Sequence, residues 1–118
     1  MRAVVQVASS GQVVVDGQVT GKLDSPGLVI LLGITHDDDQ ATARKVAEKI
    51  WVQRIFEGET SAEANGAPLL VVSQFTLYGS VRKGRRPSWS NAAPGPVSEP
   101  LYNYFVEYLR DPALGQAR

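Results

Sequence analysis

The sequence contains no cysteine and only one histidine, His36. The first absence excludes disulfides, thiol nucleophiles and cysteine-based zinc sites, and it is compatible with a reducing compartment. With a lone imidazole, only carboxylates remain to complete a metal site, and their spacing shows no ligand pattern. A phosphate-binding loop of the Gly-rich Lys-Ser type is also missing. No apolar run approaches the ~20 residues that a membrane span needs. Met1 to Val7 lacks the apolar core and cleavage site of a signal peptide and reads as a strand, so a cytoplasmic location without membrane contact is expected. Charge of either sign is not in excess, because 12 Lys and Arg balance 12 Asp and Glu. Any contact with a polyanion must therefore be local.

What the sequence does have is ordered. Its 118 residues, 43% of them hydrophobic, suit one globular domain. Ala3 to Ala8 and Gln12 to Asp16 are rich in valine, and Asp16-Gly17 separates the second stretch from Gln18-Val19-Thr20, which predicts an N-terminal β-meander with an Asp-Gly hairpin turn. Leu28 to Ile34 suits a central strand. A helix then follows the Asp37 to Asp39 carboxylates, any of which can cap it. Ala43, Val46, Ala47, Ile50 and Trp51 form its apolar stripe, and its expected end is near Ile55. Glu57 to Ala67 reads as a surface loop, Pro68 to Gln74 as a strand buried on both faces, and Gly79 to Pro100 as a long functional loop. Leu101, Tyr104, Phe105 and Tyr108 mark a second amphipathic helix, ending near Arg110. The order implies an α/β domain, a meander and mixed sheet layered with two amphipathic helices. The tail Asp111 to Arg118 supplies no strand, although a sheet fed in this order commonly gains one after its last helix, so a final strand is expected to be missing.

The buried strand Leu69 to Val72 changes abruptly into Ser73-Gln74-Phe75-Thr76. A rigid element thus delivers two hydroxyls and an amide to its own end, just before the basic group Arg82, Lys83, Arg85 and Arg86. Ser73 with His36 and Asp37 invites comparison with a catalytic triad, yet a His or Asp at a strand-to-helix turn is more often a cap or a solvated residue. Without a general base nearby in sequence, the segment suits an activated ester, which positioned hydroxyls, an amide and backbone N–H groups can orient and polarise, better than an amide. Taken alone, the plainer reading of these four residues is a strand end with satisfied polar groups. The basic group reads equally as a solvated turn or as a phosphate-contacting segment with Trp89 available for stacking.

Longer blocks narrow the choice. Ser73-Gln74-Phe75-Thr76-Leu77-Tyr78, then Arg82-Lys83-Gly84-Arg85-Arg86-Pro87-Ser88-Trp89 and Ala92-Ala93-Pro94, closely resemble the D-aminoacyl-tRNA deacylases. So do Arg2-Ala3-Val4-Val5-Gln6, Leu31-Leu32-Gly33-Ile34-Thr35-His36, and Lys49-Ile50-Trp51 with Arg54-Ile55, and the resemblance covers essentially the whole chain. It implies hydrolysis of the ester that joins a D-amino acid, or glycine on a wrong tRNA, to the terminal ribose, in a homodimer without a metal or other cofactor. Ser73, Gln74, Phe75 and Thr76 would line the pocket, with a neighbouring ribose hydroxyl assisting. An older idea makes the threonine, here Thr76, the nucleophile. Arg82, Lys83, Arg85 and Arg86 would meet tRNA phosphates.

Three departures accompany the resemblance. The family carries a Gly-cis-Pro block near its C-terminus that enters the partner's pocket and rejects L-amino acids, and it is expected to be missing here. Gly95-Pro96 is placed in the loop before the second helix and is not assigned that role. Val7 stands where the family has Arg, and Gly79-Ser80-Val81 where Ala-Asp-Thr is common. The competing class is a non-catalytic tRNA- or RNA-binding domain with a degenerate pocket.

Overall fold

The computed structural model describes residues 1–78 and 92–110. Its first four strands are β1 (Arg2–Ala8), β2 (Gly11–Val15), β3 (Gln18–Leu23) and β4 (Gly27–Gly33). Helix α1 (Gln40–Val52), the short helix α2 (Ala62–Asn65) and strand β5 (Leu69–Ser73) follow, and helix α3 (Gly95–Leu109) comes last. The mixed sheet and the two long amphipathic helices match expectation, and β4 is central. It pairs antiparallel with β1 and parallel with β5, giving the order β1-β4-β5.

The expected continuous meander is corrected. Strands β2 and β3 form a separate two-stranded ribbon, and β1 leaves them to lie beside β4. The physical reason is burial. Opposed to Leu32 and Ile30, residues Ala3 and Val5 reach the core, whereas Val14, Val15 and Val19 of the ribbon stay exposed. The Asp16-Gly17 turn forms as expected, with φ of 51° and 77°, the left-handed pair that a two-residue hairpin requires.

Leu28, Ile30 and Leu32 of β4 point into one core with Ala43, Ala47, Ile50 and Trp51 of α1 and Leu101, Phe105 and Leu109 of α3. Each fully buried aliphatic side chain there contributes about 1.5–3 kcal/mol. Among the described residues no helix is long and apolar enough to cross a membrane.

Three boundaries move. Helix α1 stops at Val52 because Gln53 turns extended, which lets Ile55 and Phe56 fold back onto the core. The segment expected as a plain loop contains α2, capped by the Ser61 hydroxyl, which accepts from the Ala64 N–H at 3.1 Å, and closed by left-handed Gly66. Helix α3 begins at Gly95, so Gly95-Pro96 lies in its first turn and not in the preceding loop. First-turn N–H groups have no partner within a helix, which is why Pro96 is tolerated there.

Of the three candidate caps, Asp39 is the one used. Its Oδ1 accepts from the Thr42 N–H and from the Thr42 hydroxyl, both at 2.9 Å. The Thr42 N–H, above all, holds this carboxyl below its usual range. A lowered folded pKa means that the stabilisation is complete above the ordinary carboxylate range and is lost as pH falls through the lowered value. Asp39→Ala is therefore expected to reduce the urea midpoint at neutral pH, with the gap to the parent chain narrowing as pH falls through and below the ordinary carboxylate range. A gap of constant size across that range would contradict this.

Candidate active site

The carboxyl ends of β4 and β5 point the same way because the two strands are parallel. Such ends are where open α/β sheets place their ligands. After Ser73 the chain keeps one more sheet contact, the Gln74 N–H donating to the Leu32 carbonyl at 2.8 Å. It then winds into a 3₁₀ turn, Phe75–Tyr78, closed by the Leu77 N–H donating to the Gln74 carbonyl at 3.3 Å. Ser73 and Thr76 are exposed, Gln74 is half-buried, and Phe75 is 56% exposed despite its apolar ring. The turn is thus presented outward while its base is fixed in the sheet.

The turn stands this close to β4 because Gly33 has no side chain. A Cβ there would lie 2.9 Å from Leu77 Cβ, 3.2 Å from the Gln74 carbonyl oxygen and 3.2 Å from Tyr78 Cδ2. On the far side, the Arg2 guanidinium donates through Nη1 to the Leu77 carbonyl at 2.9 Å and sits 4.6 Å above the centre of the Tyr78 ring. Burial pushes the Tyr78 hydroxyl up, Asp38 adds to that rise and Arg2 opposes it. Asp38 in turn accepts from the Met1 amine at 2.7 Å and from the Thr35 N–H at 2.8 Å. The segment that follows residues 79–91 returns here, with Thr35 bridging Ala92 and the Ala93 N–H donating to the Ile34 carbonyl at 2.9 Å.

An open cleft of about 260 Å³ runs along the outer edge of β5 as far as Ser73, with Val13, Thr20, Val72 and Tyr102 among its walls. Tyr102 donates its hydroxyl to the Val71 carbonyl at 2.7 Å, satisfying one acceptor on this unpaired edge.

The structure therefore places Ser73 at the end of β5, half-buried Gln74 next, and Phe75 and Thr76 in the outward 3₁₀ turn. His36 is exposed in the turn between β4 and α1. Arg82, Lys83, Arg85 and Arg86 lie outside the described residues. Sequence reasoning missed Arg2, Gly33, Asp38 and Tyr78 as neighbours of the turn. Two signals were present, an arginine heading a largely apolar strand and a glycine interrupting the run Leu31-Leu32-Gly33-Ile34.

A family model described as D-Tyr-tRNA(Tyr) deacylase matches residues 4–116. A D-aminoacyl-tRNA deacylase of Cutibacterium acnes is 62% identical over 110 residues, covering 93% of this chain and 76% of that protein. One from Thermobifida fusca is 61% identical over 115 residues, covering 98% and 80%. Among solved structures, the c-Myc DNA Unwinding Element Binding Protein superposes with a TM-score of 0.85 at 36% identity, over 93% of this chain and 76% of that one. A probable eukaryotic D-amino acid tRNA deacylase reaches a TM-score of 0.83 at 20% identity, over 96% and 68%, a likeness of fold.

Proposed function

Since the chain belongs to the D-Tyr-tRNA(Tyr) deacylase family and is a D-aminoacyl-tRNA deacylase, a carboxylic ester hydrolase, we propose that Ser73, Gln74, Phe75 and Thr76 form its active site. The observation that carries this reading is the outward 3₁₀ turn, anchored to β4 by the Gln74 N–H and packed onto Gly33. A turn fixed at its base and open on its face can hold an ester in one orientation, and orientation alone removes much of the barrier for an activated ester. Water adds to the ester carbonyl carbon, the bond from that carbon to the ribose oxygen breaks, and a proton passes to the ribose oxygen. Free D-amino acid and tRNA result. The hydroxyls of Ser73 and Thr76 and the Gln74 amide supply donors for the oxyanion, and the exposed Phe75 ring offers a face for stacking on the terminal nucleotide. Mischarged glycyl-tRNA is a second substrate of the same chemistry.

Hydrolysis rates of matched D- and L-aminoacyl-tRNA test the assignment. Release of D-amino acid, reduced about 10- to 100-fold in Gln74→Ala or Thr76→Ala, is the expected outcome. Binding of tRNA without hydrolysis would favour the non-catalytic RNA-binding reading instead.

Partners of the reaction are aminoacyl-tRNA and, we propose, a second copy of the chain, which light scattering at micromolar concentration would reveal as a dimer. Arg82, Lys83, Arg85 and Arg86 are proposed to meet tRNA phosphates. Neutralising Arg85 and Arg86 together is expected to lower tRNA affinity and flatten its dependence on salt by roughly two released counterions. An unchanged slope in a salt titration would refute that role.

A further inference from the structure

We infer that Arg2 is a positioning residue for the 3₁₀ turn that follows Ser73 and Gln74, an inference that rests on the active-site assignment above. Two separate contacts carry it. The guanidinium donates to the Leu77 carbonyl at 2.9 Å, and the same group lies 4.6 Å over the Tyr78 ring. A 3₁₀ turn ends with carbonyls that have no partner inside it, and a cation that donates to one of them satisfies the acceptor and complements its partial negative charge. The stacking on Tyr78 fixes the angle of approach, because a planar guanidinium over an aromatic face cannot slide freely.

Arg2 meets the turn from the side opposite its sheet anchor. Gln74 is held by β4 through its N–H, and residues 77 and 78 by the head of β1 through Arg2. Phe75 and Thr76 lie between these two fixed points. Gly33 closes the third side, at van der Waals distance or less from any added atom. Asp38 acts on Tyr78 and is itself engaged by the Met1 amine and the Thr35 N–H. Among the described residues Arg2 forms no ion pair that competes with the turn for it. Among the described residues Arg2 contacts Leu77 and Tyr78 and none of the four assigned to the pocket, so its effect on hydrolysis passes through the geometry of the turn. The expected signature is a loss in kcat with KM for tRNA nearly unchanged, since phosphate contacts elsewhere set affinity.

Hydrogen exchange and steady-state kinetics on the full chain test this with Arg2→Met and Arg2→Lys. Methionine keeps much of the stem and removes both contacts, whereas lysine keeps a charged donor. Arg2→Met is expected to speed exchange at the Leu77 and Tyr78 amides by about tenfold, leave the α1 amides of Ala47 and Ile50 unchanged, and lower kcat on D-tyrosyl-tRNA by about tenfold with KM within about twofold. Arg2→Lys is expected to restore much of both. Unchanged exchange at the turn, or an equal rise across the turn and α1, would overturn the inference. Exchange needs no substrate, so a parent chain that protects these amides but hydrolyses no D-aminoacyl-tRNA would overturn the active-site assignment and be recognised as doing so.

Discussion

Gly33→Ala is expected to lower kcat/KM for D-aminoacyl-tRNA by about 100-fold while costing about 1–3 kcal/mol of stability. The two effects separate because of where the added methyl group lands. It falls 2.9 Å from Leu77 Cβ and 3.2 Å from the Gln74 carbonyl oxygen. Both neighbours belong to or adjoin the backbone of the 3₁₀ turn, so relief requires moving the turn and not merely rotating a flexible side chain. The Gln74 N–H bond to Leu32 resists movement at one end and the Arg2 bond to Leu77 at the other. Whatever shift occurs is therefore concentrated between them, at Phe75 and Thr76. Misplacement by ~1 Å is enough for a loss of this order when catalysis depends on orientation. Parallel measurement of kcat/KM and the urea midpoint decides the matter. Activity within twofold of the parent, at any stability, would show that the turn's position is not what the reaction depends on.

The largest effect on stability is expected from Phe105→Ala. Phe105 has 0% exposure and sits in the cluster where α1, α3 and β4 meet. Truncating a buried phenylalanine removes its transfer free energy and leaves a cavity, together about 3–5 kcal/mol. Domains of this kind hold only about 5–15 kcal/mol in total, so the variant should be marginal at room temperature. In urea, the midpoint should fall with little change in slope, and Phe105→Leu, which refills most of the volume, should recover more than half of the loss. A midpoint shift equivalent to less than about 1 kcal/mol would mean that the helix layer collapses around the gap.

The elements with strong periodic patterns were legible in the sequence. The stripe from Ala43 to Trp51 and the run from Leu28 to Leu32 record burial directly, and burial is what made them helix and central strand. Asp16-Gly17 was equally readable, because only a few residue types accept two successive positive φ angles. What could not be read was which strand β1 would choose. Its valines suit either partner, and the decision came from the core that β4 builds with helices far along the chain. Pro96 and Pro100 hid the start of α3, since a proline argues against helix in general; Pro96 sits in the first turn, where it is tolerated, and Pro100 lies inside the helix. At the site, the segment Ser73–Thr76 stood out by its change of polarity. Gly33 and Arg2 stood out less, because close approach and long-range bonding leave only a faint local signal, a glycine inside an apolar run and an arginine at the head of β1.

The bond from Arg2 to Leu77 joins residues 75 apart in sequence. Synthesis at about 5–20 residues per second means that roughly 4–15 s pass between the ribosome adding one partner and adding the other. Through that interval β1 has no β5 end to clamp, and the exposed Val4 and Val7 of β1 belong to a half-made sheet. The 3₁₀ turn therefore gains its Arg2 contact only after β1, β4 and α1 have all been synthesised. A nascent chain stalled before Tyr78 would hold Ser73 to Thr76 but lack Leu101, Phe105 and Leu109 of α3, which complete the core.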